Sequence, residues 1–260
     1  MRLTVLGSSG TAPQLGNPAS GYLIQADSTN LWMDAGPGTY MALLAQLDPA
    51  QLDAVLLSHM HPDHCTDLFS LGHEFAYVRR SPARIPVLCP DGSAERIAGF
   101  LGGAHDHAIF DTLTITEVQP GERFSFGPVT VTAQAAHHSV PALAYRIEDS
   151  GGSLGYTGDT GPSELIEEHF VDVDTLLAEA SLQERSDPYP FHMTAQQAGE
   201  MASGVGAGSL LLTHIPRSLD PAESLRQAAT AYTGPLSLAR AGETYMIPQS
   251  TESRQKDYQA

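Results

Sequence analysis

Lysine is nearly missing from this sequence: Lys256, close to the end, is the only one in 260 residues. Lysine and arginine together number 13 against 30 aspartates and glutamates, a formal net charge of −17. A protein that grips a long polynucleotide neutralises phosphates with a basic patch, and there is no basic run from which to build one. Long nucleic acids are therefore disfavoured as partners. A small anionic substrate is not, because bound metal ions reverse the local field. Cysteine is equally scarce. Cys65 and Cys89 cannot make a disulfide framework, which agrees with a reducing compartment, and Cys65 is expected to be an ordinary buried thiol. Long apolar runs are missing too. Residues 54–57 and 209–212 fall far short of the ~20 needed to span a bilayer. The opening Met1-Arg2-Leu3-Thr4-Val5-Leu6-Gly7 reads as a strand rather than a secretory signal. The expected compartment is the cytoplasm, with no membrane partner.

What is present suffices for a core: 42% of residues are hydrophobic and 17% charged. No internal repeat or low-complexity linker breaks the chain. One domain is expected over residues 1–248, followed by a disordered polar tail, 249–260. Apolar runs and alternation predict strands at 3–6, 21–25, 31–34, 54–57, 85–88, 113–118, 129–133, 142–147, 153–156, 175–179 and 210–213. Helical spacing predicts helices at 39–45, 65–77, 163–169, 194–203 and 221–232, with Ser163 and Thr194 as caps, and leaves 92–108 ambiguous. Two strand-rich halves, each followed by helices, imply an α/β fold of two sheets packed face to face with helices outside.

The chemistry concentrates at Ser58-His59-Met60-His61-Pro62-Asp63-His64, directly after an apolar strand. His59 and His61 are two apart, so an extended chain presents both imidazoles on one side. Pro62 favours an extended or turn conformation just before Asp63 and His64. Mixed imidazole and carboxylate ligands suit Zn²⁺, and also Mn²⁺ or Fe²⁺.

This stretch resembles the H-x-H-x-D-H signature of the metallo-β-lactamase superfamily, and the resemblance extends over nearly the whole chain. It implies an αββα sandwich of two mixed sheets and a centre of two divalent metal ions, with zinc the expected metal. His59 and His61 would bind one ion, and Asp63 and His64 the other. The family adds a third histidine to the first ion, a bridging aspartate, and a last histidine on the second. Ala135-Ala136-His137-His138-Ser139 offers two candidates for the third histidine. Strand neighbours face opposite ways, so only one should reach the metals; the resemblance favours His138 and leaves His137 open. Gly155-Tyr156-Thr157-Gly158-Asp159-Thr160 supplies the bridge in Asp159, beside a glycine that permits a tight turn. Leu210-Leu211-Leu212-Thr213-His214 puts His214 at a buried strand end. Asp34, in Met33-Asp34-Ala35-Gly36, resembles the family's strand-end aspartate and is expected to hold the histidine loop by hydrogen bonds. His105-Asp106-His107 is a second H-x-H without a following D-H and reads as an exposed loop. His73 and His169 read as structural or surface residues.

Phe191-His192-Met193-Thr194-Ala195-Gln196-Gln197-Ala198 looks like the H-x-T-A-x-x-A motif of ribonuclease Z and related phosphodiesterases. The resemblance implies hydrolysis of a phosphodiester by a metal-bridging hydroxide. Asp63 would orient the attacking water or take its proton, and His192 would stabilise charge or protonate the leaving oxygen. Ribonuclease Z grips the transfer-RNA elbow with an arm that would lie between Tyr145 and Asp159, where this chain has only a hairpin. The loop from Gly7 to Asn17 also lacks the basic residue that family places before its asparagine. The pattern is closer to short, arm-less bacterial members, some of which are atypical class II cyclic-nucleotide phosphodiesterases. They share features such as Pro18-Ala19-Ser20-Gly21-Tyr22-Leu23 and Thr213-His214-Ile215-Pro216. The expected substrate is a 3′,5′-cyclic nucleotide such as cyclic AMP, or a similar small phosphodiester. Alternatives are a transfer-RNA 3′-processing endonuclease, a lactone, thioester or carboxyl-ester hydrolase of the same fold, and a non-enzymatic metal-binding protein. Family members are often dimers, so a homodimer is a further expectation.

Overall fold

Apolar runs without alternation, Leu31-Trp32-Met33, Ala54-Val55-Leu56 and Leu210-Leu211-Leu212, become strands buried on both faces, as sheets covered on both sides require. The computed structural model describes residues 1–80, 84–103, 107–184 and 190–248. Its first sheet is built from β1 (Arg2–Gly7), β2 (Gly21–Ala26), β3 (Thr29–Met33), β4 (Ala54–Leu56), β5 (Ile85–Cys89) and β6 (Leu113–Glu117). The second takes β7 (Arg123–Phe126), β8 (Val129–Ala135), β9 (Leu143–Asp149), β10 (Gly152–Tyr156), β11 (Thr175–Glu179), β12 (Leu210–Thr213) and β13 (Leu236–Leu238). A last strand, β14 (Thr244–Met246), returns to the first sheet and pairs antiparallel with β1. The orders are β14-β1-β2-β3-β4-β5-β6 and β13-β12-β11-β10-β9-β8-β7, each mixing parallel and antiparallel pairs.

The two inner faces share one core, with Tyr22, Ile24 and Met33 meeting Val131, Tyr145 and Tyr156. Helices cover the outer faces. On the first sheet lie α1 (Thr39–Leu44), α2 (Pro62–Cys65), α3 (Asp67–His73), α4 (Ser93–Phe100) and α5 (Ile109–Thr112); Leu43, Leu68, Leu71 and Ile97 pack there on Trp32, Val55 and Val87. On the second lie α6 (Glu164–His169), α7 (Ala195–Gly204) and α8 (Pro221–Ala228), with Ile166, Ala198, Met201 and Ala228 against Leu176, Leu210 and Leu212. The expected αββα sandwich is therefore the observed one. No helix among the described residues is long and apolar enough to cross a membrane.

Several expectations are corrected in detail. The helix expected at 65–77 starts earlier, at Pro62, and is divided at Thr66, whose Oγ1 turns back to the Pro62 carbonyl at 2.6 Å. Its end widens into a π-helical stretch, Glu74–Arg79. Ser163 precedes α6, but its side chain makes no capping bond. α8 stops at Ala228, four residues short of the expected end at Tyr232. The segment left ambiguous carries α4. Thr194 does cap α7, in a reciprocal capping box with Gln197. Cys65 and Cys89 are buried and unbridged, and burial pushes both thiols up to about 12. His105, Asp106 and the tail 249–260 lie outside the described residues. His107 packs its ring 5.8 Å from that of His73. His169 donates to the Thr132 carbonyl at 3.2 Å.

Candidate metal centre

The chain reaches one edge of the sandwich where strands of both sheets end. β3 delivers Asp34, β4 delivers Ser58 and His59, β10 delivers Asp159, β11 ends on Glu179, and β12 delivers His214. This is the expected place for a site in a sheet with parallel strands, since strand ends can be varied without disturbing the core. Asp34 and His214 both adopt the left-handed backbone region, with φ of 54° and 53°, turning the chain sharply at the strand end. Gly158 does the same at φ 57°, and a Cβ there would stand 2.9 Å from the Ser58 Cβ, so only glycine lets Asp159 sit beside the histidine loop.

The sequence-predicted side chains converge. The ligand atoms of His59, His61 and His138 lie within 4.8 Å of one another, and so do those of Asp63, His64 and His214. Asp159 joins His59 and His64 in one such group and His192 and His214 in another, so it stands between the two triads. This grouping follows the division the resemblance implies. Of the adjacent pair, His138 reaches the cluster, with Nε2 3.1 Å from His61 Nδ1. His137 instead stacks on Phe191 at 5.5 Å.

Hydrogen bonds fix which nitrogen of each ring carries its proton. The Phe191 carbonyl can only accept, so His138 Nδ1 donates to it, at 3.1 Å. His64 Nδ1 donates to Asp34 Oδ2 at 2.7 Å. The Ser58 hydroxyl spends its proton on Asp34 Oδ2 and accepts from His59 Nδ1 at 3.0 Å. Ser181 likewise donates to Glu179 and accepts from His214 Nδ1 at 2.9 Å. His59, His138 and His214 therefore turn an Nε2 lone pair to the centre, and His64, held at Nδ1 by Asp34, turns its Nε2 there too. There His59 Nε2 meets His61 Nδ1 at 3.0 Å, and His64 Nε2 meets His214 Nε2 at 3.2 Å. Ring nitrogens this close repel unless a proton or a positive charge sits between them.

Protons cannot supply that charge at the first triad. Burial drives the imidazole of His59 well below its ordinary 6.5 and lowers those of His61 and His138. A metal ion can. Nitrogens ~2.0–2.1 Å from one tetrahedral ion stand ~3.3 Å apart, close to the spacings seen. The carboxylates agree. Asp159 is 3% exposed, and its Oδ1 has no hydrogen-bond partner among the described residues although His64 Nε2 is 3.3 Å away. Burial works against the charge of Asp63, but the His214 ring, 3.2 Å away, and the nearby His64 hold its carboxyl down at about 2. Burial likewise opposes the charge of His64, yet Asp159 and Asp34 raise its imidazole well above the usual value. The residues fit a pair of divalent cations.

Asp34 is fully buried and takes four donors: Ser58 N at 2.7 Å, Ser58 Oγ at 2.7 Å, His64 Nδ1 at 2.7 Å and Tyr156 OH at 2.6 Å. It thus holds the histidine loop, as expected, and does not cap α1; Asp67 does that, accepting from Tyr40 N at 2.8 Å. His192 stands at the rim, its ring parallel to that of His214 at 6.1 Å, with Nδ1 donating to Glu179 Oε1 at 2.9 Å. Burial lowers its affinity for a proton, but Glu179 and Asp159 outweigh that and raise its imidazole. Sequence reasoning missed Glu179, which also accepts from Thr160 N at 2.8 Å and from Ser181. One carboxylate thereby orients His192, His214 and the backbone after Asp159. The signal was present: an acidic residue closing an otherwise apolar strand, Leu176-Leu177-Ala178-Glu179.

Comparison with known proteins places this arrangement among relatives. A family model described as a beta-lactamase superfamily domain matches residues 29–215. An uncharacterised protein of Mycobacterium tuberculosis is 34% identical over 257 residues, 95% of this chain and 92% of that one. The probable metallo-hydrolase YhfI of Bacillus subtilis is 29% identical over 248 residues, 93% of this chain and 98% of that one. Its crystal structure, described as a metallo-beta-lactamase fold protein, superposes with a TM-score of 0.83 at 28% identity, covering 94% of this chain and 98% of that one. A ribonuclease Z of Mycobacterium bovis is 26% identical over 261 residues, 90% of this chain and 92% of that one.

Proposed function

The chain belongs to the metallo-β-lactamase superfamily, in its ribonuclease Z-like branch, and we propose that it is a metal-dependent hydrolase of small phosphodiesters, a 3′,5′-cyclic nucleotide foremost. The observation that carries this reading is the position of His192. Its ring is locked by Glu179 and lies against His214 at the rim of a centre whose ligand groups all include nitrogen or carboxylate donors within 4.8 Å of each other. An imidazole fixed beside a site that can hold two cations can give a proton to an alkoxide as it leaves phosphorus.

His59, His61 and His138 would hold one cation, Asp63, His64 and His214 the other, with Asp159 between them. When bound, the two cations supply Lewis acidity toward the phosphoryl oxygens and an attacking water acidified toward neutral pH. Asp63, kept ionised, orients that water and accepts its proton. Asp34 and Ser181 hold His64 and His214 in the tautomer that faces the centre. His192 holds a proton near the leaving oxygen and yields it as the bond to phosphorus breaks.

Substrate size follows from what surrounds the site. Between Tyr145 and Asp159 the chain makes only the tight β9–β10 hairpin, Gly152 pairing with Asp149, and builds no arm to grip a folded RNA. The net charge of −17 supports the same choice. The test is a parallel assay of the zinc- or manganese-loaded protein on cyclic AMP, bis(p-nitrophenyl) phosphate, a precursor transfer RNA and a lactone. Turnover of the small phosphodiesters is expected; turnover of the lactone alone, or of the RNA alone, overturns the proposal.

A further inference from the structure

The carboxyl ends of β10, β11 and β12 serve the metal centre in turn, with Asp159, Glu179 and His214. β13 is the next parallel strand out: Leu212 pairs with Leu238, and Ala239 N donates to the Leu212 carbonyl at 2.8 Å. Its carboxyl end carries Arg240, and the loop after His214 carries Arg217. Both arginines line a cavity of about 480 Å³ beside the centre. Their guanidinium groups have no ion-pair or hydrogen-bond partner among the described residues. By contrast Arg79, Arg146 and Arg226 are each paired with an acid. Among the described residues Arg96 also lacks an acid partner, but here two such cations line one cavity in a chain with a net charge of −17.

The cavity shares a wall with the metal centre. Residues 8–17 fold over His214: Ser9 pairs with Ile215, Gly10 N donates to the Ile215 carbonyl at 3.3 Å, and Thr11 N stands 3.4 Å from His214 Nε2. Ser8, Gln14 and Asn17 of the same loop line the cavity and add polar groups to the two guanidinium forks. Glu243 also lines it, but its Oε2 already accepts from Tyr245 OH at 2.7 Å. Ser8 Oγ is already given to Asn17 Oδ1, so the donors on offer are the two guanidinium groups and the side-chain amide of Asn17, which match the oxygens of a phosphate.

We propose that this cavity binds a second phosphate of the substrate, so that among small phosphodiesters, cyclic nucleotides included, those carrying a further phosphate in the same molecule bind more tightly. The proposal rests on the phosphodiesterase reading above and narrows its substrate class. A cyclic nucleotide with a further phosphate would engage the metal centre and the arginines together.

A matched pair of chromogenic probes separates the two claims: thymidine 5′-(p-nitrophenyl phosphate), with and without a 3′-phosphate, assayed with the metal-loaded protein. The wild type should show a KM about tenfold or more lower for the 3′-phosphorylated probe, the scale of charge-assisted contacts to one phosphate. In the double variant Arg217→Gln, Arg240→Gln that ratio should collapse toward one. Equal KM values in the wild type, or a ratio the double variant leaves intact, overturn the proposal. Hydrolysis of neither probe would sink the phosphodiesterase reading instead. The cavity is then judged by calorimetric titration with thymidine 3′,5′-bisphosphate: about tenfold weaker binding to the double variant supports it, and equal binding overturns it. Both arginines are exposed and unpaired, so the variants should fold; equal thermal unfolding with the wild type checks this.

Discussion

Replacing Asp34 by Asn changes one buried atom and should disable the metal centre from behind. Asn tolerates the left-handed φ of 54° at least as well as Asp, so the backbone is not the perturbation. One oxygen survives to accept from Ser58 N, but the other becomes an amide that donates toward three donors: Ser58 Oγ at 2.7 Å, His64 Nδ1 at 2.7 Å and Tyr156 OH at 2.6 Å. The two hydroxyls can rotate their protons away. His64 can adapt only by moving its proton to Nε2, and Nε2 is the atom that faces His214 at 3.2 Å. A buried, charge-assisted network broken on one side costs about 3–5 kcal/mol, and loss of an outer partner to a ligating histidine costs about 10–100-fold in metal affinity. Urea unfolding of the chelated proteins measures the first quantity, and competition with a chromophoric chelator the second. A variant that unfolds at the wild-type urea concentration and binds metal as tightly as the wild type would refute the reasoning about tautomers on which the site assignment stands.

Four further outcomes are expected. His192→Ala should lower kcat on a phosphodiester by about 10²–10⁴ while metal content, read by elemental analysis, stays full; unchanged turnover would remove the role given to His192. Thr194→Val keeps the shape of the α7 cap but loses its bond to Gln197 N, seen at 3.1 Å, and should cost about 1 kcal/mol in chemical denaturation. Burial lowers the His169 imidazole below its ordinary 6.5, so the unfolded chain takes up that proton first and the contribution of His169 to stability, complete above pH 6.5, is lost as pH falls below it. His169→Gln should accordingly flatten the pH dependence of urea unfolding below pH 6.5, and a slope equal to that of the wild type would count against it. Chelation should lower Tm and zinc or manganese should restore it; a Tm indifferent to both would contradict a cation held between the clustered ring nitrogens.

The parts of this structure legible in the sequence are those where one residue type has one physical reason to be there. Strands buried on both faces announce themselves by uninterrupted apolar runs, and β3, β4, β11 and β12 lie where those runs do. The short edge strands β7, β13 and β14 carry no such mark. Arg123-Phe124-Ser125-Phe126 and Thr244-Tyr245-Met246 are half exposed, and pairing with a formed neighbour rather than burial makes them strands. The π-helical end of the helical stretch ending at Arg79 was invisible because its residues favour an α-helix equally well. At the site, the histidines stood out through spacing. Glu179 did not, since a single glutamate gains its meaning only from Ser181 two residues on and from Thr160 and His192, which the fold brings in from two other stretches.

The way those outer partners are distributed decides how metal binding relates to folding. His64 is oriented by Asp34 at the end of β3, His59 by Ser58 at the end of β4, His214 by Ser181 just past β11, and His138 by a carbonyl in the loop before α7. The first three partners stand at or just past strand ends that the sheets and the inter-sheet core already hold in place. The rings are therefore aimed before any ion arrives, at the cost of left-handed strand ends at Asp34 and His214. A zinc finger works the other way, with the ion supplying the folding energy of a chain too small to hold its ligands. Here the inter-sheet core supplies it, and the ring nitrogens already aimed at the centre give the site its affinity for cations. The Asp34 carboxylate is where that aiming is most concentrated, since it contacts His64 directly and fixes the Ser58 hydroxyl that orients His59.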